Sequence, residues 1–370
     1  MHLSYWEIKS WFSNVDFCIV GSGIVGLNCA LVLQQRYPKS KILILEKGML
    51  PQGASTKNAG FACFGSLSEI LEDLKTHSEQ EVVQILKKRV DGLQLLRHTL
   101  GDKALDYRQN GGYELFLDTH ADLFESYLAQ IDSTNKMLLP VFKGKVFSVI
   151  ENIFGFDNVG SQYIYNAFEA QIDTGKMMEA LLNKVQSKGI KILNNVEVRA
   201  FLEGNDAIKL QINDFEFVCG KLLIATNGFA SQLLDENVNP ARAQVLITKA
   251  IQNLEIKGTF HLDKGYYYFR NIDNRILFGG GRNLDFEGES TTDFGQTNLI
   301  QEQLEHLLKT VILPKTNFEI EHRWSGIMGV GNQKKPIVKQ ISNHVYCGVR
   351  LGGMGVAIGS LVGKELADLI

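Results

Sequence analysis

At 370 residues, 45% apolar and 21% charged, the chain is long enough to bury two cores and too apolar to remain disordered. A formal net charge of −3 and a pI near 6.3 leave no basic surplus of the kind that drives nucleic-acid or anionic-membrane binding, so no nucleic-acid partner is expected. Five scattered cysteines make neither a disulfide framework nor a metal-ligand spacing, and the eight histidines make no H-x-x-x-H pair. The expectation is a reduced, cytoplasmic, soluble protein without a metal.

Residues 4–12 (SYWEIKSWF) read as a short amphipathic helix that packs on the body. No charged n-region with a long apolar stretch precedes it, so no secretory signal is expected. From Val15 to Gly48 the pattern sharpens. Phe17 to Val20 is an apolar run of buried-strand type, and Gly21, Gly23 and Gly26 follow in the order G-x-G-x-x-G. A helix-length segment to Gln35 comes next, then a second apolar run, Ile42 to Leu45, ending on Glu46. Glu46 stands where a dinucleotide fold needs an acid for the ribose hydroxyls, about 20 residues past the glycines. The turn at Gly21, the approach at Gly23 and the packing at Gly26 each exclude a side chain, and the helix N-terminus favours a pyrophosphate. Residues 17–33 lack charges, but they fall short of the roughly 20 apolar residues a membrane span needs.

Residues 53–66 (GASTKNAGFACFGS) are small, apolar in part and without helix or strand period, which suits backbone held close to a flat ligand. Residues 68–100 read as helical, with Ser78 and Glu81 at capping-box spacing and a stripe of Val82, Leu86, Val90, Leu93, Leu96 and Leu100. A strand follows Gly111-Gly112, a helix covers 120–138, and 141–165 reads as strands. Asp173 to Lys188 reads as a helix stopped by Gly189, with strands at 190–193 and 196–201, a hairpin at 207–218 and a buried strand in KLLIATNG (221–228). Residues 243–282 are mostly strands and 296–309 a helix. The C-terminus repeats the opening order of strand, glycine turn and helix. Nothing resembles a linker, so the two expected domains interleave.

Eight motifs in this order resemble the D-amino-acid-oxidase-like FAD flavoenzymes, the group of glycine oxidase, sarcosine oxidase and γ-glutamylputrescine oxidase. They are GSGIVG (21–26), ILEKG (44–48), GASTKNAGF (53–61), LLIATNGFA (222–230), PARAQ (240–244), YYYFRNIDNRILFGGG (266–281), RWSG (323–326) and GGMGVAIGSLVGKELADLI (352–370). The resemblance implies an α/β fold, with a Rossmann-like FAD domain (1–67, 166–240 and 322–370). A substrate domain (68–165 and 241–321) with a mixed, largely antiparallel sheet would interleave with it. It implies that Gly21, Gly23, Ile24, Gly26, Glu46 and Lys47 hold the ADP half of FAD, and that Val198 meets the adenine. Ser55, Thr56, Asn58, Ala59 and Gly60 would line pyrophosphate and flavin. Ala225, Thr226, Gly228, Gly326 and Arg350 would pass near the cofactor. Gly352, Gly353, Met354 and Gly355 would aim a helix N-terminus at the pyrimidine edge of the flavin, where negative charge builds on reduction.

The implied reaction is oxidation of a C–N bond of a small amine or amino acid by hydride transfer to flavin N5, with hydrolysis of the imine. Oxygen or another acceptor takes the electrons. No nucleophile triad is expected, and no catalytic residue is assigned.

Two departures stand out. Met328 occupies the place after W-x-G where glycine-oxidase-like members carry an arginine for the substrate carboxylate, and methionine cannot make that bidentate pair. Arg270, Arg282 and Arg350 are candidates to replace it, or are structural ion-pair partners. Leu277 stands where sarcosine-oxidase-like members carry an oxygen-activating lysine, and residues 327–336 hold no cysteine for a flavin link. Non-covalent FAD is therefore expected, with oxidase and dehydrogenase both open. Tyr268, in the run Tyr266 to Phe269, would alternate onto either the substrate cavity or the core. Two other classes remain: a flavin-binding redox protein without small-amine turnover, or a member acting on a larger molecule such as modified tRNA. An NAD-only dehydrogenase would leave residues 53–66 and the C-terminal glycines unexplained.

Overall fold

The opening strand, Val15–Val20, is the centre of the first sheet in the computed structural model, which describes residues 2–370. It pairs in parallel with Ile42–Leu45 on one side and with Phe215–Ile224 on the other. Lys191–Leu193 and Val345–Val349 continue the parallel sheet outward in the two directions. Ile337–Gln340 closes one edge, and Val198–Glu203 with Ile208–Ile212 forms an antiparallel ribbon on Phe215–Ile224. A parallel strand covered on both faces shows no polar alternation. Phe17 and Ile19 enter one core, and Cys18 and Val20 enter another.

The helix Ile24–Arg36 follows the glycine turn and packs against the C-terminal helix, Gly355–Asp368. Their backbones touch because position 363 has no side chain: a Cβ there would stand 2.6 Å from the carbonyl oxygen of Val25. The long helix Glu79–Leu100 crosses the same C-terminal helix at Gly92. Its start is fixed by the expected capping box, in which the Ser78 hydroxyl accepts from the Glu81 N–H and the Glu81 carboxylate accepts from the Ser78 N–H. Val82, Leu86, Leu93 and Leu96 are buried, each stabilising the fold by about 1.5–3 kcal/mol.

The second sheet is mixed and largely antiparallel. Its order is Ile320–Val330, Asn239–Thr248, Arg275–Gly280, Tyr267–Ile272, Thr259–Leu262, Gly112–Leu115, Gln162–Asn166 and Phe147–Glu151. Only the contact of Thr259–Leu262 with Gly112–Leu115 is parallel. Phe260 and Phe269 stack at its centre with ring centroids 4.5 Å apart.

Local structure departs from the sequence expectation in several places. Residues 53–66 contain a single helical turn, Ala54–Lys57, and a two-residue strand, Phe61–Ala62, paired with Ala170–Gln171. The run 68–100 is two helices, Leu67–Leu74 and Glu79–Leu100, because Ser78 starts a new cap. The N-terminal helix packs only by its end: Phe12 is buried, whereas Tyr5 and Trp6 are 66% and 70% exposed. Hydrogen bonding and packing also cut across the expected segment boundaries. Ile320–Val330 pairs with Asn239–Thr248 in the second sheet, although most of it lies in the stretch assigned to the cofactor domain. The helix Glu79–Leu100, assigned to the substrate domain, packs into the core of the first sheet.

Candidate active site

A single cavity of about 1000 Å³ runs from the C-terminal ends of the parallel strands to the face of the second sheet. At its first end the chain leaves Val20 through Gly21, whose φ of +104° is left-handed and whose missing Cβ would stand 2.8 Å from the Ala225 carbonyl oxygen. Gly26 does not reach the cavity; it lies against the Gly21 carbonyl and lets helix and strand close up. Gly23 and Ile24 line the space, and the Ile24 N–H donates to Ser55 Oγ at 2.9 Å. Glu46 is 7% exposed. It accepts from Ser22 N–H at 3.0 Å and Ser22 Oγ at 2.7 Å, and from Gly48 N–H at 3.1 Å. Lys47, paired with Glu197 at 2.7 Å, and Val198 line the same end.

Further along the wall come Asn58 and Ala59, then Ala225, Thr226, Gly326 and the turn Gly352, Gly353, Met354 and Gly355. Gly352, Gly353 and Met354 lead into the C-terminal helix and Gly355 opens it, so the helix N-terminus lies at the cavity. Besides Gly26 and Arg350, three implied residues do not line it. Thr56 turns its hydroxyl onto the Pro51 carbonyl at 2.6 Å, Gly60 offers its carbonyl to Arg270, and Gly228 packs on the Met328 carbonyl.

A flavin dinucleotide fits this wall on the chain's own evidence. Thr226 Oγ1 is buried there without a hydrogen-bond partner. Gly352 and Gly353 have open space where side chains would project. Glu46 accepts from Ser22 within the glycine turn and lines the wall, and a carboxylate there suits hydroxyl donors rather than a phosphate.

The three candidate arginines do not line the cavity. Arg270 is 2% exposed, and its Nη1 donates to the carbonyls of Gly60 at 2.8 Å and Ile172 at 2.6 Å. Burial pushes its guanidinium down to about 10. Arg350, with a φ of +65°, donates to the carbonyls of Lys335 and Asn237. Arg282 stacks over Phe286, 5.0 Å from the ring centroid. Each acts within the fold, which corrects their candidacy as a substrate clamp. Met328 and Tyr268 do line the cavity, and Tyr268 meets Phe61 edge to face.

Two residues at this end escaped the sequence reading, His261 and Glu69. His261 lies on Thr259–Leu262, where Phe260 and Leu262 enter the core and Thr259 and His261 point the other way. That alternation was the available signal. His261 Nε2 lies 2.9 Å from Glu169 Oε2, which also accepts from Thr259 Oγ1 at 2.8 Å. Burial pushes the imidazole down, but Glu169, with Glu69 and Glu114, overrides it and raises the group to about 9. Behind it, burial raises Glu114 to about 7 against the opposing hydrogen bonds from Ser68. Cys63, a buried thiol raised by burial, touches Met354 with its sulfur 3.9 Å from the thioether.

A dinucleotide cradle that opens without a dividing wall onto an antiparallel sheet defines a flavoprotein oxidoreductase. The chain belongs to the family of FAD dependent oxidoreductases (DAO), whose model matches residues 16–369. It is 21% identical to the gamma-glutamylputrescine oxidoreductase of Escherichia coli, over 96% of this chain and 83% of that protein. It is 22% identical to a D-amino acid dehydrogenase of Helicobacter pylori, over 96% and 94%. In structure it resembles the glycine oxidase of Geobacillus kaustophilus, with a TM-score of 0.76, 19% identity and 96% and 94% coverage. The L-proline dehydrogenase of P. horikoshii gives 0.74, 19% and 96% and 93%. The chain is thus an FAD-dependent enzyme of this family, and among the described residues no helix is long and apolar enough to cross a membrane.

Proposed function

We propose that the enzyme oxidises a C–N bond of a small amine or amino acid, giving an imine that hydrolyses. The observation that carries this reading is the continuity of the cavity, from Glu46 to Tyr268 and His261, so that cofactor and substrate share one space. Relatives named for a D-amino acid and for gamma-glutamylputrescine agree with the substrate class. FAD, when bound, supplies the hydride acceptor. The chain's own residues do the rest. Phe61 and Tyr268 give the reacting carbon an aromatic wall that excludes water, and the N-terminus of Gly355–Asp368 offers positive potential to the cradle.

The cofactor is held without a covalent bond. Residues 327–336 contain no cysteine, and the thiol of Cys63 is buried and raised rather than activated. Leu277 packs with Ala59 and Val245, so no lysine stands at that place, and oxygen or another acceptor can reoxidise the enzyme. Five buried, free cysteines suit a reducing cytoplasm.

The test is an absorbance spectrum of the purified protein before and after acid precipitation. Flavin bands should leave with the supernatant, and an anaerobic screen of amines and amino acids should bleach them. A protein that takes up no flavin from added FAD would sink the reading, and bands that stay with the precipitate would overturn non-covalent binding.

A further inference from the structure

We infer that the cavity selects amines carrying a second, positively charged group, which Glu69 receives at the end of the cavity beside His261. This deepens the proposed function and rests on it.

Glu69 lines the cavity from the first turn of Leu67–Leu74. One carboxylate oxygen accepts the Ser66 N–H at 2.9 Å; the other has no hydrogen bond, and the carboxylate has no ion-pair partner among the described residues. Its neighbour in the helix, Glu72, takes Lys75 and Lys264 instead. His261 is in contact with Glu169 at 2.9 Å and feels Glu69 only from a distance, so even a charged imidazole leaves one of the two carboxylates without a contacting cation. His261 is also 5% exposed, and its Nδ1 has no protein partner while the residue lines the cavity. Two unsatisfied polar groups therefore belong to residues lining the same space, a carboxylate that lacks a cation and a ring nitrogen, Nδ1 of His261, that lacks a hydrogen-bond partner. No arginine lines the cavity to receive a carboxylate.

The cation at Glu69 is not the nitrogen that reacts. Hydride leaves carbon only when the nitrogen lone pair is free to form the C=N bond, so that nitrogen must be neutral. A carboxylate beside it would hold it protonated. Glu69 thus anchors a group farther along the substrate, and the aromatic wall of Phe61 and Tyr268 stands beside the His261 ring to take the apolar stretch between them.

The test uses the FAD-loaded enzyme under anaerobic conditions, with binding read by calorimetry and by perturbation of the flavin spectrum. The probes are diaminobutane, butylamine and glycine. Diaminobutane should bind at least about tenfold tighter than butylamine. Glu69→Gln should erase that difference while FAD content stays unchanged, since glutamine keeps the capping interaction with Ser66. Equal binding of the two amines, tighter binding of glycine, or binding of none of the three would overturn the inference. So would a preference that survives Glu69→Gln. If bleaching by amines persists while the preference is missing, only this inference fails; absence of flavin or of bleaching by any amine removes the amine-site reading itself.

Discussion

Gly26 stands directly against the carbonyl oxygen of Gly21, with no room between them for a methyl group. The contact joins the first helix to the strand that precedes it, so its loss displaces the whole turn. Gly26→Ala is expected to destabilise the protein by about 1–3 kcal/mol, the usual cost of overpacking, and to lower its FAD content with it. Thermal unfolding with and without FAD measures both. A variant with native stability and full cofactor would show that the helix can back away from the turn at no cost.

Glu46 gathers donors from both of its flanks, Ser22 on one side and Gly48 on the other. In the proposed role its charge also receives the ribose hydroxyls. Glu46→Gln keeps the size and loses the charge, and charge-assisted bonds of this type are worth about 1.5–3 kcal/mol each. FAD affinity is expected to fall by about 10–100-fold, with NAD no better bound. Titration of the apoprotein by flavin fluorescence decides it, and unchanged affinity would remove Glu46 from the cradle.

What the sequence revealed and what it hid follow from the range of the interactions. The opening strand, glycine turn, helix and Glu46 were legible because their spacing falls within one short stretch, and Gly26 meets Gly21 locally, although Gly21 and Gly23 are confined by the distant Ala225 and Ser55. The capping box at Ser78 and Glu81 was legible for the same reason. The sequence left the arginines open between substrate and structure because two of them bind distant backbone carbonyls: Arg270 reaches Ile172 and Gly60, and Arg350 reaches Asn237. No spacing rule records such a bond. His261 and Glu169 lie 92 positions apart and meet only when Thr259–Leu262 joins the sheet. The pairing of Ile320–Val330 with Asn239–Thr248, a strand far earlier in the chain, is equally invisible to local pattern.

Met328 faces the cavity at the place where an arginine is expected from the family resemblance. Its replacement by arginine gives the cavity the planar donor it lacks. Met328→Arg should tighten binding of glycine or benzoate by about tenfold or more, as a charge-assisted pair would. Diaminobutane should bind more weakly. Spectral titration of wild type and variant reads the three ligands side by side. If benzoate binds no better to the variant, position 328 does not face the substrate's carboxylate.

The carboxylates around His261 make the stability of this region depend on pH with a definite sign. Glu169 is in contact with the ring, and Glu69 and Glu114 lie nearby. His261 is raised from its ordinary 6.5 to about 9, so the folded protein holds its proton more tightly than the unfolded chain. That stabilisation is complete below pH 6.5 and disappears as pH rises through about 9. Glu114 is raised by burial from 4.5 to about 7, and its proton preference is likewise lost as pH rises through about 7. Both slopes therefore point the same way, toward lower stability at higher pH. The melting temperature should decline between pH 6.5 and 9, and His261→Gln should flatten that limb while leaving the lower one, which belongs to Glu114. A wild-type curve that stays level up to pH 9 would mean that His261 is neutral in the folded protein. Glu169 would then hold a tautomer rather than an ion.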